Sequence, residues 1–393
     1  MRVRHGTGVL LLVMAACSQT AVPPHRNDYA RPHSLVGEVT LARLDSEPAE
    51  DMLLDVGVVI FTAGPVDPVT AQVSEWLVTE IRDKETRYLP YVLRNTLVAS
   101  NQWGAVRVLP EDDPTVDLSI HGTIQHSDGL TLVLRVTARD STGRLWLDKT
   151  YGDETSNRDY RRSTFSSQED AESEVPDDPF TDLYAGIAND LLGIRDSLTR
   201  EQLEEIRRVS LLRYAADLSP HTFDRMLVSS NGGQLQPASL PADDDPMLAR
   251  VGDMRIRHHL FIDTVDTYYE SLYQEMQPLY DLWRQYSHEQ ILETRERVPG
   301  NQGGNTGSGI EALTQSYNRY KWAKIYEQEF AALAQGFNNE IAPSILELNR
   351  RVHGLSGSLE EQYTQWRDIL RQLFEVETGQ VTDVSTENTA TSR

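Results

Sequence analysis

Residues 116–151 read VDLSIHGTIQHSDGLTLVLRVTARDSTGRLWLDKTY: three β-prone runs, 116–125, 130–139 and 144–151, separated by two turn sequences. The turns are Ser127-Asp128-Gly129 and Asp140-Ser141-Thr142-Gly143, each with a glycine available for positive φ. In the middle run Leu130, Leu132, Leu134 and Val136 alternate with Thr131, Val133, Arg135 and Thr137. One apolar and one largely polar face predict an antiparallel meander whose apolar side lies under helices.

Upstream, Val56-Gly-Val-Val-Ile-Phe61 is a short apolar run bounded by Asp55 and Gly64-Pro65, which suits a buried strand. Two helical stretches are expected near 68–82 and 86–101, with Pro90 in the opening turn of the second, where a missing N–H costs little. Trp103–Leu109 then reads as another strand. The unit 34–152 is therefore expected to be a small α/β domain.

The succession VGVVIF, YLPYVLRNTLVAS, WGAVRVLP and the meander, within residues 53–152, resembles the small α/β domains of envelope lipoproteins and their relatives. These include the penicillin-binding-protein activator LpoB, the curli-secretion lipoprotein and the N-terminal domain of TolB. The likeness lies in element order and turn placement, and what it implies is a docking module rather than an active site.

The first residues carry a second signal. Arg2 and Arg4 are followed by an apolar run, Val9–Met14, then Ala15, Ala16 and Cys17, the single cysteine of 393 residues. This is the layout of an export signal, and the apolar run is far shorter than the roughly 20 residues of a membrane-spanning helix. Met14-Ala15-Ala16-Cys17 resembles the bacterial lipobox, with Met14 where leucine is usual. The resemblance implies cleavage of residues 1–16, acylation of Cys17, and sorting to the outer membrane directed by Ser18. Two or three acyl chains hold a protein durably where one binds reversibly. Residues 17–33, with three prolines and little apolar periodicity, read as a lipidated tether.

The formal net charge is −23, and −25 once Arg2 and Arg4 are removed. Such acidity repels phosphates and argues against nucleic-acid partners. With no cysteine beyond Cys17, the body has no intrachain disulfide and must rely on packing.

Residues 153–179 are acidic and read as a linker, and 180–377 as an elongated, mainly helical domain, so that the whole chain is α+β. Leu183, Ile187, Leu191, Ile194 and Leu198 form one stripe, and Thr199 to Gln202 is a capping box for the next helix. Asp245-Pro246 opens the longest helical segment, to about Val298. Its apolar seam is Met247, Val251, Met254, His258, Phe261, Val265, Tyr268, Leu272, Met276, Leu279, Trp283 and Tyr286, a heptad pattern with a stutter. A continuous helix there would reach about 75 Å, with a kink expected at Pro278. After Gly300-Asn-Gln-Gly-Gly-Asn-Thr-Gly-Ser-Gly309, apolar residues from Ile310 to Val352 predict a returning helix, hence a long antiparallel hairpin. Ser358 to Glu361 caps a last helix, and 378–393 reads as a disordered tail.

Chemistry-bearing motifs are sparse. The glycine loop lacks the preceding strand and the Gly-Lys-Ser/Thr of a phosphate loop, so it reads as a connector. Its glycines Gly300, Gly303, Gly304, Gly307 and Gly309 remain a candidate partner-contact tip. His258 and His259 with Asp263 and Asp266 have helix-face metal spacing but lack a third clustered ligand, and packing is the preferred reading. His121 and His126 read as strand-surface residues. Nucleophile motifs are absent, and no catalytic residue, metal or cofactor is assigned. The function expected is a lipid-anchored outer-membrane protein facing the periplasm that binds an envelope protein partner without catalysis. A secretion or transport component, including a homo-oligomer around a conduit, and a cell-wall hydrolase are the alternatives.

Overall fold

The computed structural model describes residues 35–379 apart from 47, 66–74, 157, 161–177, 231, 239–244, 297–344 and 349–350. The main sheet contains β1 (Val56–Val59), β2 (Thr62–Ala63), β3 (Val106–Leu109), β4 (Leu118–Ser127), β5 (Thr131–Asp140) and β6 (Leu145–Glu154). Its order is β3-β1-β4-β5-β6, with β2 beside β4. β1 pairs parallel with β3 and β4, whereas β4, β5 and β6 form the antiparallel meander. Leu130, Leu132, Leu134 and Val136 are all buried.

Carboxylates organise both turns of the meander. Asp128 Oδ1 accepts from the N–H groups of Leu130 and Thr131 at 2.8 and 2.7 Å, and Asp140 Oδ1 from those of Thr142 and Arg144 at 3.0 and 3.1 Å. Gly143 has φ +85°, as the turn reading requires, but Gly129 does not have positive φ. Gly129 is needed for a different reason. A Cβ placed on it would lie 2.2 Å from both the Arg284 carbonyl oxygen and the His288 nitrogen, so the turn touches bare helix backbone. Gly129→Ala should therefore cost about 1–3 kcal/mol, the usual range for overpacking. An unchanged thermal midpoint would show that the turn and helix can separate freely.

The two helices expected between 68 and 101 are one over the described residues, α1 (Glu75–Ala99), and Pro90 lies inside it. Proline at 90 removes the N–H that would bond the Thr86 carbonyl. The Phe61 N–H donates to that carbonyl at 2.8 Å, so a strand-edge donor replaces the missing helical one. This cross-element bond satisfies the carbonyl that an interior proline leaves open.

Beyond the meander come α2 (Thr181–Asp196), α3 (Arg200–Leu218), the short α4 (Pro220–Phe223), a small hairpin β7 (Leu227–Ser229) and β8 (Leu235–Pro237), and α5 (Pro246–Glu296). The hairpin β9 (Ile345–Leu348) and β10 (Arg351–Gly354) follows, then α6 (Leu359–Thr378). Both expected capping boxes form, at Thr199 with Gln202 and at Ser358 with Glu361. The returning helix was expected to continue through Leu348 and Val352. Those residues instead pair antiparallel as β9 and β10, while 310–344 lie outside the described residues. α5 passes through Pro278 as one element; Gln274, whose carbonyl the proline leaves without a helical donor, is exposed to water.

The expectation of a separate helical domain is corrected. The described residues from Leu35 onward form one compact unit, and the buried side chains of the sheet, α1, α2, α3, α5 and α6 belong to one apolar cluster. α5 also closes the sheet edge. The outward N–H of Val108 on edge strand β3 donates to Asp266 Oδ1 at 2.8 Å, and Arg94 Nη2 on α1 holds Asp266 Oδ2 at 2.6 Å. An unpaired edge donor is thereby satisfied and removed from aggregation. Near the opposite edge, the Val36 N–H donates to the Gly152 carbonyl, and Asp182 and Asn189 of α2 accept the Val39 and Ala42 N–H groups, each at 2.9 Å.

Candidate functional site: two buried polar networks along the long helix

α5 buries four charged or imidazole side chains, His258, Asp266, Arg284 and His288, and of these His258 and Arg284 are 0% exposed. Each of those two organises a network reaching distant parts of the chain.

At His258, Nε2–H donates to Asp113 Oδ2 at 2.7 Å, and the Tyr363 hydroxyl of α6 donates to the same oxygen at 2.5 Å. Asp113 Oδ1 takes the Thr115 N–H at 2.8 Å and the Thr115 hydroxyl. The imidazole lies between Tyr214 of α3, stacked at 5.8 Å, and the edge of Tyr363 at 5.7 Å. Burial alone would raise the Asp113 carboxyl, but the facing His258 and the donated hydrogen bonds outweigh it and hold it far below the usual carboxylate range. An acid–imidazole pair is half of a general-base constellation. Here the imidazole is sealed, and its Nδ1 has no hydrogen-bond partner among the described residues. The network joins α3, α5, α6 and the segment between β3 and β4.

Around Arg284, Glu85 of α1 is equally enclosed at 0% exposure. Glu85 Oε1 accepts from the Ser127 and Tyr280 hydroxyls at 2.5 and 2.6 Å and from Arg284 Nη2 at 3.4 Å. Arg284 Nη2 also donates to Ser127 Oγ at 3.2 Å and to the Tyr280 hydroxyl. Its guanidinium stacks over Phe180 at 4.5 Å and Tyr280 at 4.6 Å, a desolvated cation–π arrangement. Burial opposes the guanidinium's charge, but the nearby Tyr280 and Glu85 outweigh it and hold the proton more firmly than usual.

A third set lies beside the His258 network, just before β4. Asp117 Oδ2 accepts the Asp55 N–H at 3.0 Å, and Arg255 Nη2 donates to the Thr115 carbonyl at 2.6 Å. Burial pushes the Asp117 carboxyl up to about 6. His259 is brought down to about 4, first by burial and then by Arg107 and Arg255.

The four residues with metal spacing do not converge. His258 belongs to Asp113, Asp263 pairs with Arg107 Nε at 2.6 Å, Asp266 caps Val108, and His259 faces arginines. His121 and His126 meet Asp112 and Asp128 at 3.2 and 2.9 Å. Cys17, Ser18, Gly300, Gly303, Gly304, Gly307 and Gly309 lie outside the described residues.

Sequence reading placed His258 on the seam but did not single out Asp113, Glu85, Arg284 or Tyr363 as a group. The pairs span 145 and 199 residues, and no local spacing signals them. No family model and no curated protein matches this chain.

Proposed function

We propose that the protein is a bacterial lipoprotein, held at the outer membrane by acyl chains on Cys17 and facing the periplasm, where its body binds an envelope protein partner without catalysis. The observation that carries this reading is Arg2 and Arg4, the apolar run Val9–Met14, and Met14-Ala15-Ala16-Cys17, with the only thiol of the chain at the acylation position. No described helix is long and apolar enough to cross a membrane. The docking role is supported by the likeness of 53–152 to lipoprotein α/β domains. It is also supported by the enclosure of the His258–Asp113 and Arg284–Glu85 pairs inside the core, away from any solvent-facing cleft they could serve.

The experiment is fractionation of the full chain expressed in a bacterium with two membranes, with mass analysis of the mature N-terminus. The wild type should fractionate with outer membranes and begin at an acylated Cys17. Cys17→Ala should lose both the modification and the membrane attachment. Wild-type protein recovered in the soluble periplasm with an unmodified Cys17 would refute the anchor. Crosslinking of the lipidated protein in intact cells should then capture a discrete envelope protein. Capture of copies of this chain alone, in a ring-sized assembly, would replace the adaptor reading with the conduit one.

A further inference from the structure

Arg284 is hydrogen-bonded to Glu85 and stacks over Phe180, whose N–H binds the Asp178 carboxylate, so two buried carboxylates share the neighbourhood of one guanidinium. Glu85 is the carboxylate addressed by the Arg284 guanidinium and by the Ser127 and Tyr280 hydroxyls. Asp178 lies at the start of α2, where its Oδ1 accepts the Phe180 N–H at 2.8 Å and its carbonyl accepts the Thr181 N–H at 3.1 Å. Asp178 Oδ2 is shielded from solvent and has no hydrogen-bond partner among the described residues; Glu85 Oε2 and the Tyr184 hydroxyl share that condition.

Among the described residues, the titratable groups that interact electrostatically with Asp178 are Arg284, Tyr273 and Tyr280 on α5, Glu85 and Tyr88 on α1, Tyr184 on α2, and Tyr160 and Asp153. Arg284 is the cation among them, and Glu85 already compensates it. A second ionised carboxylate would leave a net negative charge in a dry, aromatic-walled site, which a protein avoids by binding a proton.

We propose that Glu85, Asp178 and Arg284 form a buried proton-binding site that keeps one proton at neutral pH, carried by Asp178, and so makes the docking of α2 against α1 and α5 conditional on that proton. Burial raises the Asp178 carboxyl, in the direction the charge count requires. The sign follows from linkage. A carboxyl that ionises at higher pH in the folded state than in the unfolded chain gives stability that falls as pH rises. The fall begins at the unfolded value, about 3.9, and ends when the folded group ionises.

The test uses the purified full chain. Infrared spectra at about pH 8 should contain the carbonyl stretch of a protonated carboxylic acid, shifted by isotopic labelling of aspartate and missing in Asp178→Asn. Over roughly pH 5 to 7, the wild-type folding constant should fall up to about tenfold more per pH unit than that of Asp178→Asn. Should Asp178→Asn fail to fold, the label-sensitive band in wild type, retained in Asp153→Asn and Asp117→Asn, carries the assignment. Absence of an aspartic-acid band from wild type at neutral pH would overturn the proposal, as would its loss in either control variant.

Discussion

Arg284→Met should lower the unfolding free energy by about 3–5 kcal/mol, the cost of breaking a buried pair and leaving its partner uncompensated. The size follows from the enclosure of both groups at 0% exposure, with Arg284 the cation paired to Glu85 among the described residues. Methionine fills much of the arginine stem's volume, so the loss reports charge more than a cavity. Urea unfolding should show a lower midpoint with an unchanged slope. The double variant Glu85→Gln with Arg284→Met should recover part of the loss. A single-variant loss below about 1 kcal/mol would show that water reaches the pair.

Asp113→Ala should cost a similar amount, about 3–5 kcal/mol, because it strands the His258 and Tyr363 donors together with both donors of Thr115. The effect should depend on acidity. Asp113 is held below its unfolded value, so its contribution is present in full above about pH 3.9 and is lost as pH falls through the folded value. Wild type and Asp113→Ala should therefore differ most near neutrality and converge at strongly acidic pH. A gap that stays constant down to acid unfolding would indicate lost packing rather than a lost carboxylate.

The part of the fold legible in the sequence is the part decided locally. Strand alternation and the Asp-x-Thr-Gly turn specify the meander, and Thr199 and Ser358 with their partners specify two helix starts. Gly129 was readable as a turn residue, but the helix backbone against it was not, since His288 is far along the chain. On the long helix the expected seam is buried at Val251, Met254, His258, Phe261, Val265, Leu272, Met276 and Leu279, and only half-buried at Met247, Tyr268, Trp283 and Tyr286. The seam missed a second buried line, Val251, Met254, His258, Ile262, Val265, Tyr269, Tyr273, Met276, Tyr280 and Arg284, in steps of three, four and four. That repeat of eleven suits a nearly straight helix lying along a globular core, whereas a heptad seam suits a supercoiled partner. Selecting residues by hydrophobicity favoured Tyr268 and Trp283, which are only half-buried, over their neighbours Tyr269 and Arg284. A buried arginine cannot be recognised from its own position, because what permits it is Glu85.

The same reasoning explains why two domains were expected where there is one core. An acidic stretch after β6 reads as a boundary, but β6 continues to Glu154, and Thr155, Tyr160 and Asp178 are buried. Burial of α5 against β3 and α1 then depends on Asp266, Arg94, Glu85 and Arg284, charged residues that composition assigns to a surface.

The claim that α5 is part of the sheet's core is tested most directly by native-state hydrogen exchange of the full chain across a denaturant series. Amides of β5 and of the buried stretch of α5 from Ile262 to Arg284 should open together, with one free energy and one denaturant slope equal to those of global unfolding. Exchange of α5 at a lower free energy and shallower slope, with the meander still protected, would contradict the single core and restore a separate helical domain.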